Sequence, residues 1–242
     1  MDRAYIALVL NGHLPFVRQP DYNHFLEEKW FFESLSETYL PLLRVFSRLE
    51  HDKIPWKLSL ALSPTLQAML GDKLLQTRYR SWLVSQLELA EKELERNTGD
   101  PVFLEMSKFY KSLYSKNLED FSNLYDSNLL GALDFYFKKG RIDLMTGGAT
   151  NAFMPIYRDH PEAQAAQVEA AVVSFRSVFG RSPSGFWLPQ LGWYPGLEKL
   201  LSAYGLQYAV VSTRGALLGK PTPRYGSYSP VCCPNGFTAF LR

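Results

Sequence analysis

Short apolar segments of strand composition alternate with helical stretches along this chain, and that alternation admits few folds. Strands separated by helices build βα units, hence a mostly parallel sheet covered by its own crossover helices. Strands are expected over 4–11, 56–63, Ile142–Gly147, 185–189 and 208–213, with 237–241 beginning a sixth. Leu83, Leu87, Ala90 and Leu94 fall at helical spacing, with Glu88, Glu91, Lys92, Glu93 and Glu95 largely opposite them, so they predict an amphipathic helix with a solvated charged face. A second helix follows the third strand, from Pro161 in its first turn through Val168, Val172, Phe175 and Phe179 to Gly180, the residue type preferred for a left-handed cap.

One connection departs from a simple βα repeat. About seventy-five residues separate the second and third strands, where a crossover needs about a dozen. A helical insertion over about 64–140 is therefore expected within a single α/β domain spanning 1–242. Phe103, Phe109, Tyr110, Phe121, Tyr125, Phe135 and Tyr136 recur there at helix-compatible intervals and read as core rather than as ligand platforms. The Gly/Pro-rich stretch 215–236 reads as one long loop between strands, of the kind that serves function at strand carboxyl ends.

Composition narrows the partners. Hydrophobic residues make up 46% of the 242, enough to bury one substantial core. Twenty-six basic against twenty-four acidic residues leave a net charge of +2 with no long Lys/Arg run, so a nucleic acid partner is not expected. No run of eighteen apolar residues exists, so no membrane span is expected. The short apolar run up to Leu10 is followed by His13-Leu14-Pro15 instead of a small-residue cleavage site, and it reads as a buried first strand rather than a secretory signal. Cys232 and Cys233, adjacent and alone, build neither a disulfide framework nor a tetrahedral metal site, and a reducing cytoplasm is expected. They read as ordinary thiols. His24, His51 and His160 have no partners at metal-ligand spacing and read as structural or solvent-facing.

Several motifs in fixed order carry a family resemblance. The run Asn11-Gly12-His13-Leu14-Pro15-Phe16-Val17-Arg18 continues into Phe25-Leu26-Glu27-Glu28-Lys29-Trp30-Phe31-Phe32-Glu33 and Glu37-Thr38-Tyr39-Leu40-Pro41-Leu42-Leu43. Downstream come Gly140-Arg141-Ile142-Asp143-Leu144-Met145-Thr146 through Pro155, the segment from Gly185 to Gly196 containing Gly185-Phe186-Trp187-Leu188-Pro189-Gln190, and the stretch from Arg224 through Pro234 to Arg242. Together they resemble glycoside hydrolase family 57, especially its α-1,4-glucan branching enzymes, over essentially the whole chain.

The resemblance implies an incomplete, seven-stranded (β/α)7 barrel acting on α-glucans such as glycogen, amylose or maltooligosaccharides, with no metal or organic cofactor. In retaining chemistry one carboxylate attacks the anomeric carbon while a second carboxyl protonates the departing oxygen and then activates the acceptor. In a branching enzyme that acceptor is the 6-hydroxyl of another glucan segment. The resemblance also implies that the later strands, the acid/base aspartate and a helical C-terminal domain would follow Arg242.

Against the family pattern, Gln190 stands where the nucleophilic glutamate is expected, and an amide forms no normal ester-linked intermediate and carries no charge. Natural loss of function and an engineered trap both account for it. Asn151 stands where the family usually places a histidine near the first sugar subsite; it hydrogen-bonds hydroxyls without carrying charge. His13 follows the first strand and would line the pocket. Trp30, Trp187, Trp193 and Tyr194 are candidate stacking surfaces for sugar rings, Trp187 either contacting ligand or packing inside the barrel. Trp193 and Tyr194, beyond the strand, are expected to be the more accessible. Tyr225 and Tyr228 lie in the long loop, which resembles one that closes over the branching-enzyme site.

Two function classes follow: a branching-enzyme-like glucanotransferase, inactive as this chain, and a non-catalytic glucan-binding or regulatory relative. A metal-dependent deacetylase is set aside, because its closely spaced histidines and aspartate are not here. A partial barrel also exposes a strand edge, through which self-association is expected.

Overall fold

A computed structural model describes residues 5–22 and 25–242. Seven strands among the described residues form one sheet: β1 (Val9–Gly12), β2 (Leu58–Leu62), β3 (Ile142–Gly147), β4 (Gly185–Trp187), β5 (Tyr208–Val211), β6 (Val231–Cys232) and β7 (Thr238–Leu241). Helices are α1 (Glu28–Ser34), α2 (Leu40–His51), α3 (Pro64–Gly71), α4 (Lys73–Arg96), α5 (Pro101–Glu119), α6 (Leu129–Lys138), α7 (Pro161–Phe179), α8 (Leu197–Ala203) and α9 (Thr213–Leu217). The chain packs into two compact units. A sheet unit takes in the chain up to Pro15, Lys57–Gln67 and Phe137–Arg242, and a helical unit takes in Phe16–Trp56 and Ala68–Tyr136. The helical unit is thus larger than an insertion over 64–140, because the chain between β1 and β2 belongs to it as well.

The sheet runs in the order β1-β2-β3-β4-β5-β7-β6, parallel throughout except for the β6–β7 pair, and it is open, with β1 and β6 at its edges. Alternation along the strands sorts side chains between two faces. Phe186, Leu188, Ala209, Val211 and Ala239 turn to one face and pack on Val168, Ala171 and Val172 of α7 and Leu197 and Leu201 of α8. Ala61, Met145, Trp187 and Val210 form a smaller cluster on the other face, joined by Val9, Leu191 and Tyr208. Helix α7 is as the sequence predicts: Pro161 begins it and Gly180 ends it at φ +66°, its N–H bonded to Arg176 O.

Three expectations need correction. The first strand begins at Val9, and Tyr5, Ile6 and Leu8 are exposed rather than buried, because β2 starts at Leu58, one register position before the partner of Val9. Residue 4 lies outside the described residues. The stretch 215–236 is not one loop: α9 runs to Leu217, and Val231–Cys232 pairs with β7 through a turn in which Cys233 N bonds Phe237 O and Gly236 adopts φ +84°. Pro230 and Pro234 flank that strand and mask its signal.

The third correction concerns the aromatics of the helical unit. Phe121 and Tyr136 are buried and Tyr125 half-buried, whereas Phe103, Phe109, Tyr110 and Phe135 are exposed. Helical spacing shows which residues share a face, not which face is covered. In α5 the buried positions go to Ser107 and Asn117. Asn117 is there for a reason: wide turns interrupt the helices at Leu35–Tyr39 and Asp120–Leu124, shifting backbone hydrogen bonds out of α-register. Asn117 Nδ2 donates to Ser36 O at 3.1 Å, its Oδ1 accepts from Arg44 Nη2 at 2.6 Å, and Arg44 Nε reaches Asp120 Oδ2 at 2.5 Å. One largely buried network thereby ties the two irregular turns together.

Candidate functional site

In an open parallel sheet the ligand-binding crevice lies beyond the carboxyl ends of the strands. The loops after β1, β3 and β4 leave that edge of the sheet unit and carry His13, Asn151 and Gln190. Strands β3 and β4 are neighbours, about 4.8 Å apart, and β1 lies two such spacings from β3.

The chain leaves β1 through Gly12, whose carbonyl accepts from Ser63 N at 2.9 Å, while Thr65 Oγ1 donates to Leu14 O at 2.8 Å. His13 between them is half-buried, and its Nδ1 is buried without a hydrogen-bond partner among the described residues. Burial lowers its pKa below the ordinary 6.5, so the imidazole is neutral at neutral pH.

Beyond β3 the chain is pinned to α7. Gln167 accepts from Thr150 N and donates to Thr150 Oγ1, both at 2.9 Å, and its own carbonyl accepts from Ala149 N at 3.1 Å. The turn closes with Asn151 N on Gly148 O and puts Asn151 at φ +57°, a conformation asparagine tolerates better than most residues.

Beyond β4 the turn is tighter. Gln190 and Leu191 are consecutive left-handed residues, at φ +54° and +55°, held by Leu191 N to Leu188 O and Gly192 N to Pro189 O. Each non-glycine residue in that region costs roughly 1–2 kcal/mol, and such strain concentrates at functional positions. Leu191 repays part of the cost by packing on the Trp187 cluster. Gln190 packs on nothing comparable: it is exposed at the end of the strand. Gly192 has no room for a side chain, since the Phe153 ring and Pro155 occupy the place of a Cβ, and this locks the β3 and β4 loops together.

The aromatic candidates separate into distinct environments. Trp187 is 8% exposed and packs inside the sheet's smaller cluster. Trp193 and Tyr194 are half-buried against the α7 side, more accessible than Trp187 as expected. Trp193 lies 6.1 Å from the Phe237 ring. Tyr194 donates its hydroxyl to Gln164 Oε1 at 2.6 Å, and Gln164 Nε2 donates to Met154 O, so this phenol braces the loop after β3. Tyr225 and Tyr228 are both exposed, Tyr228 almost fully, and the Arg224 guanidinium sits 5.3 Å over the Tyr225 ring. Trp30 is exposed on α1 of the helical unit. His51 and His160 are exposed, and His24 lies outside the described residues. Cys232 is an exposed free thiol, and burial raises the pKa of its half-buried neighbour Cys233.

A polar group that sequence reasoning missed sits lower on the same sheet face. Register puts Ser59 beside Asp143 and Gly185 beside Tyr208. The Tyr208 hydroxyl donates to Asp143 Oδ2, and burial together with that bond holds the phenol's pKa well above its usual value. Ser59, Asp143 and Tyr208 line a cavity of about 440 Å3 with Val9, Met145 and Trp187. The one available signal was a lone aspartate inside an otherwise apolar strand.

What the three candidate residues of the carboxyl-end loops offer a ligand is neutral: an amide from Gln190, an amide from Asn151 and an uncharged imidazole from His13. Such groups donate to and accept from hydroxyls. Among the described residues no three His, Cys, Asp or Glu side chains gather to hold a metal, and no helix is long and apolar enough to cross a membrane.

The sequence and the fold both have known counterparts. The chain is 29% identical over 240 aligned positions to a 1,4-alpha-glucan branching enzyme of Thermococcus kodakarensis, covering 93% of this chain and 34% of that protein. The crystal structure of the alpha-amylase AmyC from Thermotoga maritima superposes with a TM-score of 0.94 at 36% identity, over 100% of this chain and 46% of that one. A branching enzyme from Pyrococcus horikoshii gives a TM-score of 0.89 at 25% identity, over 99% and 47% of the two chains. The present chain therefore spans between a third and a half of the length of these relatives. Residues 7–242 match the profile of glycosyl hydrolase family 57, and the chain belongs to that family.

Proposed function

We propose that this polypeptide binds α-1,4-glucan at the carboxyl ends of β1, β3 and β4 and does not turn it over, as a relative of retaining 1,4-α-glucan branching enzymes. The observation that carries the reading is Gln190, exposed on a strained left-handed turn at the end of a central strand. That is a costly way to hold an ordinary surface amide, and a natural way to aim a reacting group. A glutamate there would supply the nucleophile of retaining chemistry; the amide keeps hydrogen bonding and loses both charge and nucleophilicity. Asn151 and His13 are the accompanying hydroxyl partners, Tyr225 and Tyr228 the candidate rim, and Trp30, Trp187, Trp193 and Tyr194 the remaining aromatic candidates. A catalytically silent glucan-binding or regulatory role follows for the chain as it stands. The free thiols support a reducing, cytoplasmic setting, and the open edges of the sheet support self-association.

The test is calorimetric titration with maltoheptaose. Saturable binding weakened by Asn151→Ala, with no reducing sugar released, is expected. Absence of binding, or turnover by the unsubstituted protein, overturns the reading. Likeness to the Thermotoga maritima alpha-amylase favours a second reading of the ancestral activity, hydrolysis rather than transfer. Gln190→Glu in the complete gene product decides between them: new 1,6 linkages mark transfer, and new reducing ends alone mark hydrolysis.

A further inference from the structure

The helical unit contains a cavity of about 680 Å3 between α1 and α4, unconnected to any role given above. Its size falls in the range of about 300–1,000 Å3 typical of small-molecule sites. Phe25, Phe32 and Trp82 supply aromatic walls. The indole is fixed in place, 5.9 Å from the Phe32 ring and stacked at 6.0 Å on Tyr79. Along α4, Thr77, Ser81 and Ser85 follow at intervals of one helical turn, with Gln86 beside them, so one wall is a column of hydroxyls and an amide. Thr77 and Ser81 donate to backbone carbonyls of their own helix, which leaves their oxygens as acceptors.

At the floor, the buried carboxylate of Glu28 accepts from Arg78 Nη1 at 2.6 Å and from Gln19 N at 3.2 Å. The guanidinium is further committed to the carbonyls of Gln19 and Tyr22, at 2.7 and 2.5 Å. It offers no free fork to a phosphate or carboxylate, and the remaining cation of the lining, Lys29, is exposed at the rim. A purely apolar ligand would leave the hydroxyl column unmatched, which is unfavourable on desolvation. Aromatic side chains and a neutral polar column lining one cavity, with the Glu28 carboxylate paired to Arg78, match a ligand with apolar C–H faces and a hydroxyl periphery.

We propose that this cavity is a second carbohydrate-binding site, taking a short neutral oligosaccharide independently of Gln190. The carbohydrate class follows from the lining; the choice of an α-1,4-linked probe rests on the reading under Proposed function. The experiment is calorimetric titration with maltoheptaose of the unsubstituted protein, Ser85→Trp, Gln86→Ala and Asn151→Ala. Ser85 is exposed, so a tryptophan there fills the cavity without entering the core, and circular dichroism verifies the fold. Two sites are expected in the unsubstituted protein; Ser85→Trp removes one, Gln86→Ala weakens that same one about tenfold, and Asn151→Ala weakens only the other. A single site lost on Ser85→Trp but indifferent to Asn151→Ala sustains this proposal and sinks the reading for the strand-end loops. Titrations unaffected by Ser85→Trp, no binding at all, or sugar binding abolished by inorganic phosphate competing in the cavity each overturn it.

Discussion

Tyr208 on β5 hydrogen-bonds Asp143 on β3 across the intervening strand β4, and it does so over Gly185, the residue in β4 that has no side chain to block it. Where three adjacent strands meet, one absent Cβ permits a phenol to bridge two strand spacings and satisfy a carboxylate within a mostly apolar sheet face. The pair is buried enough that the phenol stays protonated far above its usual range.

Gly185→Ala places a methyl where the Tyr208 ring lies. Overpacking of this kind costs about 1–3 kcal/mol, and loss of the Asp143 contact adds to it. Urea unfolding is expected to give an unfolding free energy lowered by about 2 kcal/mol, with most of the loss suppressed in a Tyr208→Ala background. Equal cost in both backgrounds would show that the two residues are not coupled.

Asn117→Ala removes a buried amide that serves Ser36 O and Arg44 at once. Each orphaned buried group costs about 1–3 kcal/mol, so a loss of about 3 kcal/mol is expected, with faster hydrogen exchange at the amides of Leu40 and Tyr125 that close the two wide turns. A variant as stable as the parent, with those amides still protected, contradicts the account of why a polar residue occupies the core of α5.

Much of the sheet unit was legible because its signals are local. The strand Ile142–Gly147 and the Pro161-to-Gly180 helix carry their own boundaries, and both stand where the sequence puts them. What escaped was decided by partners distant in the chain. The start of β1 depends on where β2 begins; the exposure of Phe103 and Phe109 depends on which neighbours cover each stretch of α5. In the site, residue types at 13, 151 and 190 were readable, while the left-handed turn that aims Gln190 had no sequence signal, because neither glutamine nor leucine announces positive φ. The engagement of Tyr194 with Gln164, thirty positions away, was equally invisible.

His13 provides a pH test. Its folded pKa lies below the unfolded value of 6.5, and the cause is burial. The folded state therefore prefers the neutral ring: the contribution to stability is fully present above pH 6.5 and is lost as pH falls through the folded pKa. His13→Gln is expected to flatten the stability curve on the acid side of 6.5 and leave it unchanged in slope above. Proton NMR of the His13 ring checks the premise, and a titration midpoint at or above 6.5 removes it.

Gln190 sets stability against binding. Glycine reaches φ +54° without the Cβ penalty of roughly 1–2 kcal/mol, although it adds freedom to the unfolded chain. The side chain is exposed, so its removal creates no cavity. Gln190→Gly is accordingly expected to stabilise the protein by up to about 1 kcal/mol in thermal unfolding while weakening maltoheptaose binding at the strand-end loops. Such a gain would mean that the native turn retains strain for the sake of the group it presents, as functional sites commonly do. A destabilised Gln190→Gly with unaltered binding would instead make the amide a structural member of the turn, and the case for a site centred on residue 190 would fail with it.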